Sequence, residues 1–191
     1  MVTTAKRHAT YDDVLNAPDH LIAEVIAGEL HTSPRPQGRH GRAMGQLFSR
    51  IARGFDDGEG GPGGWWIAVE PELHLGPDVM VPDVCGWRRD RVPEFDPGPA
   101  WEIAPDWICE VLSPSTGRYD RMRKLPAYAR HRVDYAWLVD PVQRTIEVFR
   151  LDGEQWKLLA VHGGDEAARI EPFEAIEFPL ATLWLPDHPP A

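Results

Sequence analysis

The sequence predicts an α/β fold in which a β-sheet is flanked by helices and extended by β-hairpins. Residues 105–141 read as an apolar strand, a turn, a basic helix and a second apolar strand, which is the pattern of a βαβ unit or a close variant. Residues 38–55 carry apolar side chains at the helical interval, which predicts a long amphipathic helix. Short turns at Ala27-Gly28 and Asp152-Gly153 separate pairs of strand-like segments, which is typical of hairpins.

The individual elements follow in order along the chain. The predicted strands are residues 21–26, 29–32, 65–69 continued by 70–75, 79–87, 107–112, 135–139, 145–150, 155–159 and 175–178. The predicted helices are a short one that Thr10 caps and that ends near Pro18, residues 38–55, residues 119–131, and a short turn near 180–183. Pro82 precedes Asp83 inside an apolar strand, so it is expected at a bend or a sheet edge.

The composition is that of one globular domain over residues 1–191, with a loose proline-rich tail at 186–191. A chain of 191 residues with 42% hydrophobic and 26% charged residues can bury a real core. Apolar runs fall short of the roughly 20 residues that cross a bilayer, and the N-terminus lacks an apolar signal core, so we expect a cytoplasmic protein without a membrane partner. Cys85 and Cys109 lie in apolar runs and are expected to be buried reduced thiols, with a disulfide or metal role as the alternative.

The net charge of −10 weighs against a strong, non-specific nucleic-acid binder, whose surface would be basic. The charge is nevertheless uneven. Arginines concentrate at 88–91 and, together with Lys124, at 118–132. A local cationic face on an acidic protein therefore stays open.

Carboxylates inside apolar strands are the candidate chemistry of this chain. Glu24, Asp83 and Glu110 each interrupt an apolar run, and Glu70 ends one. A buried carboxylate costs several kcal/mol unless it is paired, protonated or bound to a cation. Mg²⁺ usually takes one or two carboxylates together with waters and phosphate oxygens, so Asp83 and Glu110 on adjacent strands would supply a metal-binding pair. Such an ion would polarise a phosphodiester and lower the pKa of a bound water.

Lys124 is the natural cationic partner of these carboxylates. Asp120 and Tyr128 lie four residues to either side of it and share its helix face. An ammonium beside a metal-bound water orients it or stabilises charge that develops on phosphate. Pro126 is expected to kink or restart this helix. His40 lies in the first turn of the long helix.

Each of these residues also has an ordinary structural interpretation. A buried carboxylate can form an ion pair or a cap, a lysine can lie on the surface, a histidine can end a helix, and the arginines can form a solvated face. From the residue pattern alone, a metal site and these structural roles are about equally supported.

The motifs together resemble a known family. The chain is similar to the Uma-two family of restriction endonuclease-like proteins, within the PD-(D/E)XK nuclease superfamily, over about residues 10–161. The residues that carry the resemblance are Glu24 with Gly28-Glu29-Leu30, His40, Val81-Pro82-Asp83-Val84, the block from Glu110 to Thr116, Asp120, Lys124, Tyr128 and the block from Trp137 to Pro141. The block from Glu110 with its spaced lysine is specific, whereas the proline-aspartate pair alone is weak.

The resemblance implies a restriction-endonuclease-like core, with a mixed central sheet flanked by helices, and cleavage of nucleic acid that depends on Mg²⁺ or Mn²⁺. By motif position, Asp83 and Glu110 would be metal ligands and Lys124 the catalytic lysine, with Glu24 as a further catalytic candidate. The usual lysine position of the superfamily, two residues after the acid, holds Leu112 here. The lysine role would therefore have moved to the helix. His40, Glu70, Asp120 and Tyr128 are the further candidates for the cleft.

The expected activity is therefore that of a metal-dependent endonuclease, with DNA as the expected partner and a homodimer as the expected assembly. Two alternatives remain. The first is a catalytically degenerate nuclease fold that binds protein or nucleic acid through its arginines. The second is a metal-dependent hydrolase of a small phosphorylated substrate, which would have a narrow closed pocket rather than an open groove.

Overall fold

A computed structural model describes residues 7–35, 38–94, 98 and 100–186, so the predicted loose tail lies outside the described residues apart from its first residue. The helices are α1 (Tyr11–Leu15), α2 (Gly38–Ile51), α3 (Gly117–Tyr119) and α4 (Leu125–Arg130), with π-helical segments at Ala52–Asp56 and Asp120–Lys124 and a 3-10 turn at Leu180–Thr182. The strands are β1 (Leu21–Ile26), β2 (Glu29–Pro34), β3 (Trp65–Val69), β4 (Leu73–Leu75), β5 (Asp78–Met80), β6 (Val84–Arg88), β7 (Trp107–Val111), β8 (Tyr135–Asp140), β9 (Thr145–Asp152), β10 (Gln155–Gly163), β11 (Ala167–Ala168) and β12 (Phe178–Pro179).

The main sheet has six strands in the order β10-β9-β8-β7-β6-β3. Its central pair, β7 and β8, is parallel, and every other neighbouring pair is antiparallel. The helical run of residues 117–130 joins the two parallel strands, because only a crossover connection can join parallel neighbours. The predicted βαβ unit and the mixed sheet flanked by helices are both confirmed.

A second, antiparallel sheet in the order β2-β1-β5-β4 corrects two predictions. The predicted strand at 79–87 is two strands in different sheets, because the chain bends at Val81-Pro82-Asp83 between β5 and β6. Residues 70–75 do not continue β3 either. Glu70 has a positive φ of 46°, so the chain turns there, and β4 pairs with β5 instead. The bend at Pro82 is as predicted, and it places Asp83 where the chain crosses from one sheet to the other.

Hydrophobic clusters cover both faces of the main sheet. One cluster joins Leu47 of α2 to Trp107, Trp137 and Phe173, and the other contains Trp87, Ile108 and Tyr128. Neighbouring residues of β7 belong to opposite clusters, which explains why this strand reads as a continuous apolar run. Cys85 and Cys109 are free thiols and are both fully buried, as predicted.

The helix predicted at 119–131 is observed as the continuous run of residues 117–130. The backbone N–H of Leu125 donates to the carbonyl of Asp120, five residues earlier, so the helix widens to a π turn directly before Pro126. This is the predicted restart, since a proline lacks the N–H that a regular helix would use.

The C-terminal part agrees only in part with prediction. The hairpin of β9 and β10 is confirmed, with Gly153 in its turn at a positive φ of 63°. The strand predicted at 175–178 is wrong, because the extended segment there is only β12, which pairs with the unpredicted β11. No helix in the described part of the chain is long and apolar enough to cross a membrane.

Candidate active site

A cleft of about 280 Å³ lies beside the bend that links the two sheets. β2 forms one wall, and the turn after β7 together with the start of the helical run forms the other. Six of the lining residues are candidates from the sequence analysis, namely the acidic residues Glu24, Asp83, Glu110 and Asp120 together with Lys124 and His40. These six residues are spread over the chain from position 24 to position 124, yet they converge because β1, α2, the bend before β6, β7 and the helical run meet here.

The ammonium of Lys124 lies between two carboxylates. Its Nζ is 2.8 Å from Oε1 and 2.9 Å from Oε2 of Glu110, and 3.1 Å from Oε1 of Glu24. It also donates to the carbonyl oxygen of Val81 at 2.9 Å. The structure therefore brings together the lysine and two acidic residues that the sequence singled out.

Glu110, near the end of β7, is held from two directions. The hydroxyl of Tyr128 donates to Oε1 of Glu110 at 2.6 Å, from the turn of helix that follows Lys124. Tyr128 is fully buried behind Glu110 and is not among the residues that line the cleft. Glu24 is fixed in a similar way, because its Oε1 accepts the backbone N–H of Val81 at 2.8 Å.

Asp83 is fastened to the central strand rather than to Lys124. Its Oδ2 accepts the backbone N–H of Val111 at 2.6 Å and lies 3.3 Å from Nε2 of His40. The other ring nitrogen of His40, Nδ1, is buried without a hydrogen-bond partner among the described residues. His40 therefore approaches Asp83 from the first turn of α2.

Glu70 lies next to the cleft rather than in it, which corrects the prediction that it lines the same cavity. It lines a neighbouring cavity with Glu72 and Val81, because the chain turns away at its left-handed backbone conformation. Its backbone N–H donates to the carbonyl of Asp83 at 3.1 Å. Burial, and secondarily the charge of Asp83, raise the pKa of the Glu70 carboxyl.

The buried charges of the cleft perturb one another. Burial raises the pKa of Glu110 well above its usual value, and raises that of Asp120 to about 6 against a partial offset from Lys124. Burial alone would lower the pKa of Lys124, but the attraction of Glu110, Glu24, Asp120 and Asp83 outweighs it and raises the pKa well above normal. Lys124 therefore stays an ammonium, and the cleft holds more acidic groups than one ammonium can neutralise.

The donor chemistry of the cleft fits a hard divalent cation. Among the described residues, no group of three histidine, cysteine or acidic side chains is already arranged to hold a metal ion. Mg²⁺ needs only one or two protein carboxylates, however, and completes its shell with water and phosphate. Asp83 uses Oδ2 for its contacts with Val111 and His40, so its second oxygen would be the one to hold an ion, and the neighbouring Glu110 would supply the second carboxylate. The excess of acidic side chains in the cleft would attract such a cation.

The structure adds polar residues that the sequence analysis did not assign to the site. The hydroxyl of Ser113 lies 3.0 Å from that of Ser115 and 2.9 Å from that of Thr116, directly after β7. The ring of His31 stacks on that of Tyr119, with centroids 3.6 Å apart. All five residues line the cleft. The run of hydroxyl residues after a strand with a buried acid was the available signal for three of them, whereas the stack depends on the tertiary packing of β2.

A solved structure shows the same fold as this six-stranded mixed sheet with its flanking helices. A putative nuclease belonging to DUF820, from Anabaena variabilis ATCC 29413, superposes with a TM-score of 0.71 at 23% identity, over 91% of this chain and 96% of that one. The chain belongs to the Uma2 family, described as "Putative restriction endonuclease", whose model matches residues 9–182. No curated protein matches the chain.

Proposed function

We propose that this protein is a metal-dependent endonuclease that hydrolyses DNA phosphodiester bonds. The observation that supports it best is the buried ammonium of Lys124, held by Glu24 and Glu110 in an acidic cleft, in a chain of this family. A buried lysine at the floor of a cavity is costly for stability alone, because removing both charges from water opposes their attraction. A role at a site where negative charge develops accounts for it better.

The side chains of the cleft have distinct proposed tasks. Asp83 and Glu110 would hold Mg²⁺ or Mn²⁺, which when bound supplies a Lewis acid for the phosphodiester and lowers the pKa of a water. Lys124, positioned by Glu24 and the Val81 carbonyl, stabilises negative charge on the phosphate. Tyr128 and His40 act as positioning residues, because each contacts one of the two proposed ligands.

A second candidate function, a catalytically degenerate fold, is supported by a separate observation. Glu110 already accepts hydrogen bonds from Lys124 and Tyr128, so its carboxylate is satisfied by the protein without any ion. A catalytically degenerate fold that binds a protein or nucleic acid would look the same. In that case binding survives Glu110→Gln and does not depend on metal.

The test is cleavage of a double-stranded plasmid and of a circular single-stranded DNA with Mg²⁺ or Mn²⁺ by the wild type, by Lys124→Met and by Lys157→Met. Lys157 is an exposed lysine of β10, far along the sheet from the cleft, so its variant controls for the loss of one positive charge and for copurifying nucleases. We expect cleavage by the wild type and Lys157→Met, and its loss in Lys124→Met and in the presence of EDTA. No cleavage by the wild type with either ion, or equal cleavage by all three proteins, contradicts the proposal. Asp83→Asn provides a second inactive variant in case Lys124→Met folds poorly.

A further inference from the structure

A second groove continues the cleft towards the surface. Its volume is about 520 Å³, and Ser115 and Tyr119 line both cavities. The outer groove is completed by Arg118, Met122 and Arg123 of the helical run. A substrate whose phosphate reaches the carboxylates therefore passes directly along this groove.

Beside the cavities, the hairpin of β1 and β2 is joined to the helical run by two contacts. His31 of β2 stacks on Tyr119 with an interplanar angle of 15°, and Arg123 pairs with Glu29 at 3.1 Å. At the floor, Glu110 is 3% exposed and Lys124 is 4% exposed. A phosphate must therefore enter the cleft to reach them.

An unpaired strand can meet this requirement more easily than a duplex. In a duplex the bases are stacked and paired, and bringing one nucleotide out of the stack costs a few kcal/mol. A single strand bends freely at each phosphate and can place one nucleotide in a cleft while its neighbours follow a groove. The geometry of the entrance therefore favours unpaired substrate.

The outer groove has the chemistry of a site for a nucleobase. The side chain of Met122 is 60% exposed, and the Nε of Arg118 lies 3.4 Å from its sulfur. A thioether, an aromatic ring and guanidinium groups form a surface on which a base can stack while arginines attract the adjoining phosphates. The hydroxyl of Tyr119 is buried without a hydrogen-bond partner among the described residues, so this side chain contributes its ring rather than its hydroxyl to the groove.

The net charge of the whole protein also favours a binding mode that depends on local contacts. A net charge of −10 gives no general attraction for polyanions, so affinity has to come from local contacts. Stacking on a base is such a contact and depends little on sequence.

We infer that the groove formed by Ser115, Arg118, Tyr119, Met122 and Arg123 binds the unpaired base beside the phosphate in the cleft, so that the substrate is single-stranded DNA or an unpaired segment of a longer DNA. This inference rests on the proposed nuclease function and specifies its substrate.

The test compares a fluorescein-labelled single-stranded oligonucleotide with a blunt duplex of the same sequence. Binding is measured by fluorescence anisotropy in Ca²⁺, and cleavage in Mg²⁺ or Mn²⁺. Met122→Glu places a negative charge in the groove. Val161→Glu is the matched control, because Val161 is 55% exposed on β10, away from the cleft. Circular dichroism spectra confirm that both variants fold.

We expect the single strand to bind about tenfold more tightly than the duplex and to be cut faster, and Met122→Glu to weaken single-strand binding about tenfold, as for the loss of one stacking contact. Val161→Glu is expected to bind like the wild type. Equal binding and cleavage of the duplex, or a Met122→Glu variant that behaves like the control, overturns this inference and leaves the nuclease proposal standing. If neither oligonucleotide is bound or cut, both proposals fail.

Discussion

The carboxylate of Asp83 accepts a hydrogen bond from the backbone N–H of Val111 at 2.6 Å, and this contact ties the crossing between the two sheets to the central strand. Val111 directly follows Glu110 in β7, so the same bond sets the spacing of the two proposed ligands. A backbone donor held by β-sheet pairing cannot shift easily. The pair is therefore positioned by the fold itself rather than by flexible side chains.

Asp83→Asn is expected to abolish cation binding while retaining the fold. The amide oxygen of asparagine can still accept the N–H of Val111, whereas its lost charge removes the attraction for a hard cation. The measurement is calorimetric titration with Mn²⁺, which does not depend on activity. Asp57→Asn, at an exposed position after α2, is the control for a change of one charge. Heat of binding that is the same for all three proteins would remove Asp83 from the ligand set.

Lys124→Met is expected to lower the free energy of unfolding by about 3–5 kcal/mol near neutral pH, because it leaves buried carboxylates without their counter-charge. The loss is expected to be smaller at about pH 5 than at neutral pH, because burial raises the pKa of Glu110 well above its usual value and protonation of Glu110 removes one of the unpaired charges. Urea unfolding at both pH values measures it.

Lys157→Met again provides the matched control, because its side chain is exposed and its loss should change stability by less than about 0.5 kcal/mol. A Lys124→Met variant as stable as this control at both pH values would show that the buried pair is not a stabilising contact.

Tyr128→Phe is expected to cost about 1.5–3 kcal/mol of stability, since it removes the hydroxyl that donates to Glu110 at 2.6 Å and leaves the rest of the ring in its core position. Tyr135→Phe is the comparison, because that ring is only partly buried and stacks near Arg88 without depending on its hydroxyl. Chemical unfolding curves for both variants measure the difference. Equal stabilities would mean that water or a neighbour replaces the lost donor.

Local sequence patterns were sufficient for the parts of the fold that depend on neighbouring residues. The apolar run of β7, the helical interval of α2 and the Asp152-Gly153 turn each identify an element without reference to the rest of the chain. The division of residues 79–87 between two sheets depends on what pairs with each half, and no local pattern contains that information. The proline at position 82 marked the bend but not the change of sheet.

The candidate site shows the same contrast between what local sequence patterns predict and what depends on tertiary packing. Glu24, Asp83 and Glu110 stood out because a carboxylate in an apolar strand requires a partner, and the helix spacing placed Asp120, Lys124 and Tyr128 on one face. The exclusion of Glu70 from the cleft depends on its left-handed backbone conformation, which sequence does not predict for glutamate. The stack of His31 on Tyr119 depends on how the hairpin packs against the helical run.

Asp120→Asn is expected to stabilise the protein by about 1–2 kcal/mol near pH 8 and to have little effect near pH 4. Burial raises the pKa of Asp120 from 3.8 to about 6, so between these values the folded state binds a proton that the unfolded state has released. The stability from this neutral form is present below the unfolded pKa and is lost as the pH rises through about 6. Asparagine does not ionise, so the variant avoids that loss.

Urea unfolding of wild type and Asp120→Asn across this pH range measures the effect, with Asp57→Asn as the exposed control. A cation in the cleft would act on the same group, because its charge favours the ionised form of Asp120 and lowers the pKa. Mn²⁺ should therefore reduce the advantage of Asp120→Asn near pH 8, and its binding to the wild type near pH 6 should release protons. A stability difference that is constant between about pH 4 and pH 8 would contradict this prediction, because it would mean that the pKa of Asp120 is not raised in the folded state.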